Sequence, residues 1–265
     1  MYFKSNPKRI KYFTLSTIKL LVLFFLTFNT SFSQTDTENQ FSNEFQTNSN
    51  LGKKVAIEND FGQVFTSGTV ESNPFYKNSQ LYLRSWLHYY ASEKWKLSGF
   101  VAYFFNKDVP EISQNRLPEI RFAAQGIYYF SKGGDYTLSN RIRVENRIFI
   151  EDTIEVVCRF RDAVKFVFPI SKIKSGNGYT YGIVADEVFF KTNGNATGRQ
   201  FFDRNRFTLG LGYNLSDTVQ FEVGYQNEYL PRPSGDQMFH VISTTIIFND
   251  LISSIKKQTG IFQKH

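Results

Sequence analysis

Arg141, Arg143, Glu145 and Arg147 stand at every second position of one segment, and Arg159 and Arg161 repeat the spacing in the next. A period of two places such residues on one face of a β-strand. Guanidinium and carboxylate groups arrayed this way suit bidentate ion pairs, because the planar fork of Arg matches the two oxygens of a carboxylate. Arg84, Glu119, Arg121, Glu187, Arg206 and Glu222 extend the pattern into other segments. Burying an Arg is costly unless it is paired. The chemistry expected of these residues is therefore structural, a ladder of paired charge that fills the lumen of a narrow barrel.

An alternative reading uses their distribution. Segments 137–150 and 154–168 are rich in Arg, and in a ring of strands they lie about halfway round from the segments that carry Glu58, Asp60, Glu222 and Glu228. A basic wall facing an acidic one would orient dipolar solutes and make a narrow, solute-selective, porin-like pore. Glu119 and Glu145, set among the basic segments, weaken that separation.

The register between 137–150 and 154–168 follows from charge. Pairing centred on residue 151 would set Arg143 opposite Arg159 and Arg141 opposite Arg161, and like charges directly opposite are unfavourable. Centring on residue 152 keeps each side chain on its face and sets Glu145 opposite Arg159 and Arg143 opposite Arg161, so that one of the two Arg–Arg clashes becomes an ion pair. The expectation is that Glu145 points into the lumen and contacts Arg159 or Arg161, with Glu119 or Glu187 compensating the remaining Arg.

Nucleophilic catalysis has thin support. An outer-membrane lipid hydrolase would need a Ser and His pair, and the three histidines are His88, His240 and His265. Neither a Gly-x-Ser-x-Gly elbow nor a His-Glu-x-x-His site accompanies them. The protein is not expected to be an enzyme, and no residue is assigned to catalysis, cofactor or metal. Cys158 lies on an apolar parity and reads as packing.

The elements that must position these charges read in twos. Leu138, Ile142, Val144, Ile148 and Ile150 alternate with Ser139, Arg141, Arg143, Glu145 and Arg147. In 80–91 the apolar set is Leu81, Leu83, Leu87 and Tyr89, against Arg84, Trp86 and His88. The alternation recurs in 119–130, 154–168, 206–213 and 219–228, and more weakly in 53–66, 94–106, 178–190 and 237–249; Asp162 breaks it by falling on the apolar side. Soluble strands average about five or six residues, whereas these run to ten or more, the length of a tilted bilayer crossing. The fold predicted is all-β, an up-and-down antiparallel transmembrane β-barrel of about 10 to 12 strands. Ten lie between residues 53 and 249, an even number that returns both ends to the periplasm. Segment 34–52 is left over as an N-terminal segment, whose Phe41–Asn48 either extends the barrel at a seam, with an unrecognised twelfth strand, or lies against the periplasmic rim, and 250–265 is a C-terminal tail. Polar connections alternate in length, 67–78, 106–118, 191–203 and 231–236 being long, as the outer loops of such barrels are. Loop 191–203 is expected to be flexible, and 169–177 is longer than its place predicts. Aromatic pairs near strand ends, among them Tyr103–Phe105 and Phe189–Phe190, suggest interfacial girdles.

The first 33 residues look like a targeting device. Lys4, Lys8, Arg9, Lys11 and Lys19 precede the apolar run Leu20–Leu26, with small residues Ser31 and Ser33 before Gln34. This is the pattern of a cleavable signal peptide cut before Gln34, and the run is too short to span hydrocarbon. The whole chain has 31 basic and 24 acidic residues. Removing the leader takes five basic residues and no acid, so the balance falls from +7 to +2. That near-neutrality, with no basic run, argues against nucleic-acid binding. The fraction of apolar residues, 41%, excludes a disordered chain, and one Cys excludes a disulfide framework.

The export signal, the Glu119-x-Arg121, Arg141-x-Arg143-x-Glu145-x-Arg147 and Arg159-x-Arg161 strands, Asp186–Phe190, and Asn205-Arg206 leading to Gly210-x-Gly212-Tyr213 together resemble a family of exported Gram-negative proteins classified as a domain of unknown function. The resemblance implies an outer-membrane β-barrel and brings no activity. Its partners would be outer-membrane lipid and the outer-membrane assembly machinery, with no obligate protein partner evident.

Overall fold

Alternation of apolar and polar side chains along long strands has one closed solution, a barrel whose two faces meet different media. In a computed structural model, which describes residues 36–250 except 69–70, 110–116, 134, 151–153, 173–177, 217 and 234, the chain forms that barrel. Its strands are β1 (Asp36–Asn50), β2 (Val55–Thr66), β3 (Lys77–Tyr90), β4 (Trp95–Asn106), β5 (Glu119–Ser131), β6 (Thr137–Phe149), β7 (Glu155–Lys172), β8 (Tyr179–Lys191), β9 (Phe202–Asn214), β10 (Val219–Leu230) and β11 (Gln237–Asn249). Each pairs antiparallel with its sequence neighbour, and β11 closes on β1 in parallel.

Eleven strands fall within the expected 10 to 12, and of the two placements open to Phe41–Asn48 the chain takes the seam; what is corrected is the purely antiparallel closure and the start at residue 53, since β1 begins the barrel at Asp36. With eleven alternating strands the first and last run the same way, so the seam must be parallel, and Asp36 and Asn249 lie at opposite ends instead of sharing one. The seam pairs Asp36 with Gln237 through to Asn48 with Asn249. Asn48 Nδ2 donates to Asn249 Oδ1 at 3.0 Å, and Phe45 packs against Phe248 outside, tilted, with ring centroids 5.0 Å apart. The alternation of β1 was faint because its outer face offers only Phe41 and Phe45 as large apolar residues.

The connections sort by end. Loops 67–76, 107–118 and 192–201 lie at one end, called the loop end, with 150–154 and 231–236; the shorter 51–54, 91–94, 132–136 and 215–218 lie at the turn end with 173–178. Because β7 continues to Lys172, the connection that looked too long at 169–177 is a short one. The expected leader (1–33) and the segment 251–265 lie outside the described residues.

The wall is inverted relative to a soluble domain. Leu83, Leu87, Phe122, Ile142, Val144, Val156, Phe160, Leu209, Leu211 and Phe221 are exposed on the outside, while Asp60 and Glu119 are 0% exposed within. Outward aromatics gather at both ends, as with Trp95 against Tyr128 at the turn end, centroids 5.0 Å apart, and Tyr103 and Phe105 at the loop end. Phe189, expected in a girdle, is instead 1% exposed and points inward. Asp162 faces outward, where Asn140 Nδ2 of β6 donates to it. Inside, bulky rings lie over cross-strand glycines: an added Cβ at Gly62 or Gly212 would meet the ring of Tyr82 or Tyr181 at 2.2 or 2.1 Å.

Candidate functional site: the charged lumen

The lumen is layered along its axis. At the loop end an apolar cluster joins Phe149 and Val157 of the wall to Val109, Leu117 and Ala196 of the loops. Loop 192–201, expected to be flexible, is folded against the barrel: Glu155 accepts from the backbone amides of Asn195 and Ala196, and Thr192 N–H donates to Cys158 O at 2.9 Å. Gly198, at φ +81°, makes the tight turn that brings Gly194 and Gly198 together.

Beneath that cluster lies a layer of paired charge. The β6–β7 register is centred on residue 152, so that Glu145 faces Arg159 and Arg143 faces Arg161. Glu145 points inward and accepts from Arg159 and, at 3.3 Å, from Arg161. Arg161 forks onto Glu187 through Nε and Nη2 at 2.7 and 3.1 Å, and Arg141 also donates to Glu187. Glu119 receives Arg121 and Arg147, the latter at 2.6 and 3.0 Å. Glu228 receives Arg204 at 2.9 Å and Arg206 at 2.7 Å. Four guanidinium groups surround the Phe189 ring, their Cζ atoms 4.4–5.6 Å from its centroid. A ring face so placed lends the cations a further attraction that needs no second carboxylate.

The acidic wall invoked for a transverse field does not stand apart. Glu228 sits among the basic residues just named; Asp60 accepts from Arg84 Nε at 2.6 Å and Trp86 Nε1 at 3.2 Å; Glu222 accepts from the Tyr181 hydroxyl at 2.6 Å. Neutralisation is local. Two acids in these pairs escaped the sequence reading: Glu44, because β1 was not counted, and Asp203, because it was placed in a loop. Glu44 accepts from Arg84 Nη2 at 2.9 Å and from Tyr82, and Asp203 lies 3.3 Å from Arg204.

Beside the layer the lumen holds a chamber of about 730 Å³, lined from Gln80 and Val109 near the loop end, past Arg147 and Glu228 of the layer, to Tyr129, Thr137 and Val167 near the turn end. Trp86, Gln125, Arg141, Arg143, Lys96 and Lys165 line it, together with the carboxylates of Glu44, Glu58 and Glu222 and small residues, among them Gly210, Gly224 and Ser243. One ladder row runs His88, Ser98, Gln125, Arg143, Arg161, Phe189 across six strands. His88 meets Ser98 Oγ through Nδ1 at 2.8 Å and Glu58 Oε2 through Nε2 at 3.1 Å. This Glu–His–Ser chain has nucleophile, base and carboxylate within hydrogen-bond reach. Ser98 is 8% exposed and does not line the chamber, however, so its hydroxyl is shielded by the imidazole. His240 faces outward and meets the Tyr225 hydroxyl, far from any acyl-transfer arrangement; His265 lies outside the described residues. Cys158 is half-buried on the outer face.

Comparison with known proteins gives a family. The family described as "Protein of unknown function (DUF2490)" matches residues 24–239. No curated protein matches the sequence. Among solved structures, one described as "Bacterial polysaccharide outer membrane secretin" is similar with a TM-score of 0.48 and 10% identity. The match covers 73% of this chain and 63% of that one, so the chain spans less than two thirds of that protein's length.

Proposed function

The chain belongs to this family of unknown function, and from the geometry we propose that it is an outer-membrane barrel whose lumen is closed to bulk flow at the loop end. The observation that carries closure is the buried layer in which Glu119, Glu145, Glu187 and Glu228 each hold two guanidinium groups beneath the apolar cluster of Phe149 and Val157. Hydrated ions crossing it would have to separate pairs that are costly to break in a dry interior. The membrane location rests on the apolar outer wall, on strands of 12 to 18 residues and on the aromatic ends. On this reading an N-terminal signal cut before Gln34 exports the protein, and assembly machinery inserts it among outer-membrane lipids. The short turns face the periplasm, as in other such barrels, and the chamber is reached from that side.

Two measurements test this. The protein should fractionate with outer membranes and migrate faster unheated than boiled, and recovery from the soluble periplasm would end the membrane reading. Purified protein in a planar bilayer should pass little steady current, while Arg161→Ala should open it or destabilise it. Sizeable ion-selective steps from the unmodified protein would replace closure with the narrow-pore reading. A second reading, lipid hydrolysis, draws only on the Glu58–His88–Ser98 chain; ester hydrolysis lost in Ser98→Ala would establish it.

A further inference from the structure

Arg143 is the exception in a lumen of paired charge. It is 5% exposed, its cross-strand neighbour is Arg161, and no carboxylate lies within ion-pair distance of it among the described residues. Its Nε donates to Gln125 Oε1 at 2.9 Å, and its guanidinium lies over Trp86 with Cζ 4.8 Å from the ring centroid. Both contacts fix the fork, and neither supplies negative charge. Among the described residues its guanidinium makes one hydrogen bond, the one through Nε, which leaves the terminal nitrogens to the chamber that the residue lines.

The cations nearest the turn end continue the imbalance. Lys96 and Lys165 also line the chamber with no ion pair among the described residues, and Arg141 has one carboxylate, Glu187, which it shares with Arg161. On the ladder Lys96, Arg141 and Lys165 occupy the two rows immediately turnward of Arg143. They form a cationic path from the turn end to a pre-oriented, uncompensated guanidinium. A buried unpaired charge is unfavourable unless a ligand neutralises it, and a fixed planar fork matches an oxyanion with two oxygens in one plane. A chamber of about 730 Å³ falls in the size range of small-molecule sites.

We propose that the chamber binds a small oxyanion, a carboxylate or a phosphate, which enters from the turn end and is held by the terminal nitrogens of Arg143. Gln125, which lines the chamber and whose oxygen is engaged by Arg143, is the positioning group for that guanidinium. The inference rests on the proposed closure only for the direction of entry; a conducting barrel with this site would be anion-selective.

Trp86 provides the readout. The other tryptophan, Trp95, is exposed on the outer wall, so Trp95→Phe leaves Trp86 as the sole reporter. Folded Trp95→Phe protein in detergent is titrated with benzoate and, separately, with inorganic phosphate. Saturable change in Trp86 fluorescence with either probe, weakened by salt, is expected; the tighter probe names the oxyanion. Adding Arg143→Gln should weaken binding by about tenfold or more, the worth of a charged hydrogen-bonded contact. Lys165→Gln, at an exposed position, should weaken it several-fold and flatten the salt dependence. Fast gel migration of unheated samples confirms each variant as folded. No saturation by either probe, or saturation unchanged in folded Arg143→Gln and Lys165→Gln, overturns the proposal. Because conductance is read separately, large current steps would fail closure while leaving the site, and absent binding would fail the site while leaving closure.

Discussion

Arg161 and Arg143 face each other across the β6–β7 ladder, carry the same charge and are both buried, yet they live in opposite electrostatic worlds. Arg161 is held by Glu145 and forked onto Glu187. Arg143 has an amide oxygen and the faces of an indole and of the Phe100 ring, and no carboxylate within ion-pair distance among the described residues. The difference between the two is therefore one of partners rather than of residue type. Paired charge closes a lumen and specifies its packing; the same group unpaired leaves a site that asks for an anion.

The comparison breaks hardest at Glu145. Glu145→Leu strips Arg159 of its closest carboxylate and Arg161 of one of two, and should cost about 3–5 kcal/mol, the penalty for orphaning a buried charge. Urea unfolding followed by gel mobility would show it, and an unshifted midpoint would mean that the layer contributes nothing. Adding Arg159→Met to that variant should recover most of the loss, because removing both partners of a buried pair is far less harmful than removing one. Arg161 keeps Glu187 in that double variant. A double variant no better than the single would show that Arg159 is not the group left stranded.

Arg143→Met is the sharper test, since it should move stability the other way. Replacing an uncompensated buried cation with an apolar chain of similar length should be neutral or stabilising by roughly 0–2 kcal/mol. A loss as large as that of Glu145→Leu would place Arg143 in the structural layer. The smallest effect is expected outside, at Asp162, where Asn140 supplies one hydrogen bond to a carboxylate on an apolar wall. Asp162→Val should stabilise the lipid-embedded protein by about 1 kcal/mol, below the cost of a basic residue at mid-bilayer. Destabilisation would instead mark that stretch of wall as covered by something more polar than lipid.

Much of the barrel was legible because a period of two is written residue by residue. The inward parity of Arg141, Arg143, Glu145, Arg147, Arg159 and Arg161 could be read directly, and like-charge avoidance selected the register that sets Glu145 against Arg159. What stayed hidden had weak or non-local signals. β1 carries only two large apolar residues outward, so its Glu44 was missed, and with it the odd strand count and the parallel seam. Phe189 lies on the inward parity with Glu187, but its apolar side chain and its neighbour Phe190 suggested an interface.

The sequence by itself determined the class of molecule: strands long enough to cross a bilayer, one face apolar and the other charged, and a chain whose composition leaves no room for a disulfide or disordered alternative. Tertiary structure alone decided which charges meet. Ion pairs such as Arg84 with Glu44 and Arg206 with Glu228 join residues 40 and 22 positions apart, and which carboxylate reaches which guanidinium depends on the curvature and closure of the whole wall. Closure also left Arg143 without an acid and opened a chamber beside it, because a vacancy in a charge network is a property of the assembled lumen and of no single strand.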